Sequence, residues 1–247
     1  ILSYTIGSGG GVTAGSQGQT LTINLIEDDA MRTINNSNPS TTLLSENFGT
    51  VANNGSLPAG WAKGFFGGST NGWTVNADYG AATGFTPADG RALHITDGIA
   101  ADQTAETATN TYTTSITANS VAITRSINTT GYKNIKLSFD YACQGELIGS
   151  TLYDVGRLRY STTAQGSGLN VVTNPLGNVY YFYNTLGKTS ITVDLPIATE
   201  NVPNLWLGFE WVNNNSGGSN PPFIIDNIVV TGDALGVETV LNQTITQ

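Results

Sequence analysis

Between residues 43 and 231 the chain is a succession of short runs in which β-branched and aromatic residues alternate with polar ones, and this alternation restricts it to an all-β architecture. The runs cover 43–48, 91–96, 111–117, 120–127, 133–143, 155–161, 178–184, 189–195, 204–212 and 223–231. A period of two sends successive side chains to opposite faces of a strand, whereas a buried helix face needs apolar residues three and four apart over ten or more positions. Turn formers separate the runs, as in Gly67-Gly68-Ser69-Thr70-Asn71-Gly72 and in the stretch from Asn213 to Pro222. Many strands without helical spacing predict an antiparallel β-sandwich, and a single one of this length predicts a jelly roll.

Thirty glycines and a charged fraction of only 11% suit a loop-rich β protein. Eighteen acidic against nine basic residues leave a net charge of −9 and a pI near 4.3. That balance repels nucleic acid and anionic membranes and favours divalent cations. No apolar stretch approaches the roughly 18 residues of a membrane span. The single cysteine, Cys143, leaves no internal disulfide; it continues the parity of Leu137, Phe139 and Tyr141, which marks it as a small buried hydrophobe. Such a chain is either kept reduced in a cytosol or exported and stabilised by something else, and calcium fits the second case.

The ends read differently from the middle. Leu2–Ile6 and Gln19–Ile26 alternate on either side of a Gly-rich stretch, predicting a terminal β-hairpin over residues 1–30 that belongs to a preceding domain, because two strands alone are marginal. Residues 31–42 read as a linker, 43–232 as the jelly roll and 233–247 as an exit strand or linker. The opening at Ile1, without methionine or signal segment, suggests a processed product or part of something longer. Extra strands at both ends either add to a neighbouring sheet edge, giving assembly by strand addition, or fold onto their own chain or lead into neighbouring domains.

Two carboxylates stand where apolar residues belong. In Leu44-Ser45-Glu46-Asn47-Phe48, Glu46 shares a face with Leu44 and Phe48; in Ile224-Ile225-Asp226-Asn227-Ile228-Val229-Val230, Asp226 shares its parity with Ile224, Ile228 and Val230. A carboxylate on a core face costs several kcal/mol unless it is paired, protonated or metal-bound. With nine cationic side chains in the chain, one structural Ca²⁺ held by Glu46 and Asp226 is the expectation, against hydrogen-bonded side chains near strand ends as the alternative. Asp89, in Pro87-Ala88-Asp89-Gly90, is either a third oxygen ligand or a turn-forming residue.

The ordered set Glu46-Asn47-Phe48, Leu57-Pro58-Ala59-Gly60-Trp61, Gly72-Trp73, Leu137–Tyr141, Leu158-Arg159-Tyr160-Ser161 and Phe223–Val230 resembles the choice-of-anchor J and cleaved-adhesin group, MAM-like jelly-roll modules of secreted Bacteroidota proteins. Residues 21–29, following Gly11-Val12-Thr13-Ala14-Gly15, resemble the last strands of Calx-β-like repeats, a kind of Ig-like domain. The first resemblance implies a calcium-stabilised sandwich on an exported, often multi-domain adhesin or enzyme, commonly delivered by type IX secretion machinery. By position, its opening acidic residue is Glu46 and its closing one Asp226. Some relatives carry an Asp-rich loop before the second Trp; Lys63–Gly72 has no Asp, so a second calcium is not expected there.

Catalytic patterns are sparse. His94, the one histidine, shares parity with Ala92 and Thr96 opposite Leu93 and Ile95 and reads as a solvent-facing strand residue. No Gly-x-Ser-x-Gly elbow occurs, and Gly187-Lys188-Thr189 lacks the upstream glycine of a phosphate loop. Glu146, Asp154 and Glu210 are the carboxylates open to a dispersed glycosidase arrangement. In Tyr180-Tyr181-Phe182-Tyr183, Tyr181 and Tyr183 share a face, where they either stack on sugar rings or pack under a loop. The reading as a whole is a non-catalytic, calcium-stabilised module of a secreted or cell-surface bacterial protein, acting in adhesion or assembly with other surface subunits or glycans. The alternative is a carbohydrate-binding module of a secreted multi-domain enzyme.

Overall fold

The computed structural model describes residues 40–51, 57–65, 71–77, 90–97, 111–166 and 168–235. The chain divides into two units, Ile1–Asn36 and Ser37–Gln247, and all described residues belong to the second. The expected hairpin over 1–30, Asp89 and the strand-like run beyond residue 235 lie outside the described residues.

In chain order the strands are β1 (Thr41–Glu46), β2 (Ala62–Phe65), β3 (Gly72–Asn76), β4 (Ala92–Thr96), β5 (Ala118–Ile123), β6 (Tyr132–Cys143), β7 (Glu146–Ile148), β8 (Thr151–Ser161), β9 (Asn170–Val171), β10 (Tyr181–Phe182), β11 (Thr185–Asp194), β12 (Trp206–Asn213) and β13 (Ile224–Ala234). They form two antiparallel sheets. The first runs β11-β6-β13-β4-β3 with β1 also on β13, and the second runs β10-β8-β12-β5-β2 with β7 and β9 also on β8. Chain neighbours seldom pair, because the chain passes back and forth between the sheets in the manner of a jelly-roll sandwich.

The core follows from the alternation. Ile135, Leu137, Phe139 and Cys143 of β6, Leu207, Phe209 and Trp211 of β12, and Leu158 of β8 are all buried between the sheets. Burying each large apolar side chain contributes roughly 1.5–3 kcal/mol, and aromatic contacts add direction. Phe139 meets Phe209 edge-on at 5.5 Å between centroids, and Phe182 stacks on Phe223 at 5.1 Å. Trp73 of the first sheet donates its indole N–H to Ser120 O of the second at 3.0 Å, closing one side of the sandwich.

The edge of β13 is shared end to end. Ile224 and Ile225 pair with His94 and Leu93 of β4, and the part from Ile228 to Gly232 pairs with β1, Glu46 facing Ile228. Between them the register against β6 slips by one residue between Asp226 and Val229, with Asn227 in the left-handed region at φ 52°. This bulge reverses the pleat. Ile225, Ile228 and Val230 all join the main core, whereas Ile224 joins a small cluster with Ala92 and Ala142 on the other face.

Three expectations change. Residues 111–117 form no strand: the N–H of Thr113 goes to Asn71 Oδ1 at 2.8 Å and that of Tyr112 to Asn220 Oδ1 at 3.1 Å. Side-chain amides thus satisfy backbone groups that a ladder would otherwise take. Four strands with no matching run, β2, β3, β7 and β9, are two to five residues long and too short to show a period. His94 is fully buried rather than solvent-facing. Its parity holds, with Leu93 and Ile95 in the core, but β4 lies between β3 and β13 and is buried on both faces.

Candidate functional site

The predicted metal residues fall at the seam on β13. β1 ends at Glu46, and Arg91 immediately precedes β4. Glu46 Oε1 accepts the N–H of Phe48 at 2.9 Å, where the buried Phe48 turns the chain at φ 62°. Arg91 donates to Gly49 O at 2.9 Å and also to Val51 O, so a cationic side chain fixes the loop leaving β1. Asp226 is fully buried, and its Oδ1 accepts the N–H of Asn227 at 2.7 Å. Because of the bulge, Asp226 stands opposite Asp140, away from the main core, while Glu46 stands opposite Ile228. The shared core-side parity expected for the two does not hold. Among the described residues no group of three acidic, His or Cys side chains gathers as a metal site, so main-chain oxygens or Asp89 would have to complete a coordination sphere.

Asp140 anchors a second network beside the seam. It accepts from Lys188 Nζ at 2.7 Å, from Ser190 Oγ at 2.5 Å and from Asn227 Nδ2 at 2.9 Å. Although burial pushes its pKa up, these donors outweigh it and hold the carboxyl below its usual range.

At one end of the second sheet, residues 144–148, which include β7, together with Asn184, Gly218 and Ser219 line an open cleft of ≈ 320 Å³. Glu146 pairs in register with Asp154. Asp154 is buried; Oδ2 accepts the Tyr112 hydroxyl at 2.5 Å and Oδ1 the N–H of Asn214 at 2.9 Å. Burial raises its pKa, with the nearby Glu146 charge adding to the effect. Tyr183 lies just past β10, half-buried, with its Cβ on the Gly145 side of this cleft.

The outer face of the second sheet holds the most ordered polar arrangement. Tyr181 of β10 stands opposite Arg157 of β8, which stands opposite Glu210 of β12. Arg159, two residues on, shares that face. Glu210 is almost fully buried and accepts from Arg159 Nε at 2.7 Å and Nη2 at 3.2 Å, while Arg157 Nε lies 2.9 Å from Oε2. Tyr181 is 44% exposed, so its ring is available beside the pair. Trp206, opposite Ser161, shares the face by parity toward one end. Of the predicted ligand residues, then, Tyr181 sits within a charged array and Tyr183 does not. Glu210 is on the opposite face of its sheet from Asp154, so the three carboxylates do not converge on one cleft. The array was not legible in the sequence because its cross-strand partners lie 24 to 53 residues apart; Arg157 and Arg159 at a two-residue spacing were its one local sign.

No known protein family and no curated protein matches this sequence. Similar solved structures include the K2 cleaved adhesin domain of Lys-gingipain, at 16% identity, 76% of this chain, 96% of that one and a TM-score of 0.48. The K1 cleaved adhesin domain of Lys-gingipain from Porphyromonas gingivalis is similar at 17%, 79%, 99% and 0.43 in the same order. The family 11 carbohydrate-binding module of a Clostridium thermocellum cellulase is similar at 14%, 78%, 94% and 0.42. At such identities and scores the likeness is one of general β-sandwich form, and what this chain binds has to be argued from its own side chains.

Proposed function

We propose that this sandwich is a non-catalytic recognition module of an exported bacterial surface protein, acting in adhesion through the outer face of its second sheet. The observation that carries the reading is the row Tyr181, Arg157 and Glu210 on three consecutive strands, with Arg159 locking the buried carboxylate. Side chains held this way are organised before a ligand arrives, which lowers the entropic cost of binding. An exposed ring next to fixed hydrogen-bond donors suits a sugar polymer: rigid aromatics offer contact area at little conformational cost and the donors meet hydroxyls. A module serving adhesion and one directing a secreted enzyme to its polysaccharide share this surface, and its location on strands rather than loops suits both.

Calcium at the β13 seam is part of the same proposal. The buried Asp226 carboxylate and the Glu46 carboxylate would supply hard oxygen ligands, with Asp89 or main-chain oxygens completing the coordination sphere. The metal would hold β1 and β4 against β13 and take no part in recognition. Delivery by type IX secretion machinery and contact with other surface subunits belong to this reading as well.

The test is retention of the purified chain on immobilised polysaccharides, with the eluted polymer analysed for length. Retention that is lost in Tyr181→Ala, with polymer length unchanged, is the expected result. Shortened polymer would make the chain an enzyme, and retention unaffected by Tyr181→Ala would move the site elsewhere.

A further inference from the structure

The outer face carries one positive charge more than its own structure needs. Glu210, with its side chain 2% exposed, is already satisfied by the two-point contact from Arg159. A buried carboxylate has to be paired, and one guanidinium fork does that. Arg157 Nε lies 2.9 Å from the same oxygen without donating a hydrogen bond to it, and the side chain is 22% exposed. Among the described residues, no protein acceptor takes its two terminal amino groups. Two arginines on one carboxylate leave a local charge of +1 in a chain whose net charge is −9. At physiological salt, charges more than about 8 Å away are largely screened, so the distant acidic surface does little to offset this local excess.

We propose that this face selects acidic polysaccharides, with the terminal amino groups of Arg157 taking the carboxylate of a uronic acid and Tyr181 taking the ring of that sugar or its neighbour. This rests on the glycan reading above and specifies its ligand. A planar guanidinium presents parallel donors that match a planar carboxylate, and a single surplus charge matches a single anion per sugar. Tyr181 lies directly across the strand pair from Arg157, so ring and charge are adjacent. On the same face Trp206, half-buried opposite Ser161, lies at one end of β8. The four residue steps from Arg157 to Ser161 span about 13 Å of strand, which suits an extended chain of sugars rather than one residue.

The experiment compares the whole chain's affinity for polygalacturonate and for the same polymer fully methyl-esterified, at physiological salt. Esterification removes the charge and keeps the rings. Polygalacturonate should bind roughly tenfold or more tightly, the scale of one charge-assisted contact. Arg157→Gln, which leaves Glu210 paired with Arg159, should abolish that difference while keeping weak binding to the ester. Arg157→Lys, with the charge but not the fork, should restore part of it. Equal affinity of the wild type for both polymers overturns the acidic preference and leaves the glycan reading standing. Binding to neither polymer nor to any neutral polysaccharide overturns both. A preference that survives in Arg157→Gln assigns the anion to other residues and overturns the role given to Arg157.

Discussion

His94 shows most plainly what one residue reveals in sequence and what it hides. Alternation with Leu93 and Ile95 put it on the correct face, but alternation says nothing about what lies over that face. Its Nε2 is 2.7 Å from Asn76 Oδ1 and its Nδ1 is 3.0 Å from Ile95 O. Burial brings its pKa down to about 4, only partly countered by the Ile95 contact. The unfolded chain therefore takes up the proton first, near the ordinary value of ~6.5. Stability is full above that pH and falls as pH drops toward 4, by roughly 3 kcal/mol from this group. His94→Gln keeps a hydrogen-bonding side chain and removes the titration, so the drop in melting temperature between pH 7 and pH 4 should be smaller in the variant than in the wild type. Cys143 went the other way and was legible: its parity with Leu137 and Phe139 placed it in the core, where burial pushes its thiol pKa up and Phe182 O accepts its S–H at 3.0 Å.

Among the elements, β6 was legible because Ile135, Leu137, Phe139, Tyr141 and Cys143 recur at every second position along it, whereas only the second half of β11, within the run 189–195, alternates. The bulge in β13 was not, since Ile224–Val230 is apolar at nearly every position and a slip leaves no mark in such a run. That slip is what moved Asp226 to the other face. Two predictions belong here. Gly156 of β8 lies under the Phe223 ring, and a methyl group there would sit 2.5 Å from Cδ1. The ring has no room to retreat, being packed on Phe182, Trp73 and Tyr141. Gly156→Ala should therefore lose about 1–3 kcal/mol in chemical denaturation. At the seam, a metal bound by the native state alone raises the melting temperature by mass action. Chelation should lower it in the wild type and have little effect in Glu46→Gln or Asp226→Asn, and an unchanged calcium response in both variants would remove them as ligands.

For the whole molecule, the β-sandwich was readable because a two-residue period repeated along nearly 190 residues excludes helical packing. The recognition surface proposed for it was not readable, because Tyr181, Arg157 and Glu210 meet only when β10, β8 and β12 lie side by side. The account therefore stands on where ligand contacts this fold. Backbone amide shifts recorded by NMR during titration with polygalacturonate test that most directly. Saturable shifts centred on Gly156–Arg159, Tyr181–Phe182 and Gly208–Trp211 are the predicted result. Shifts centred on the cleft residues Gln144–Ile148 and Gly218–Ser219, with the sheet face unmoved, would contradict it.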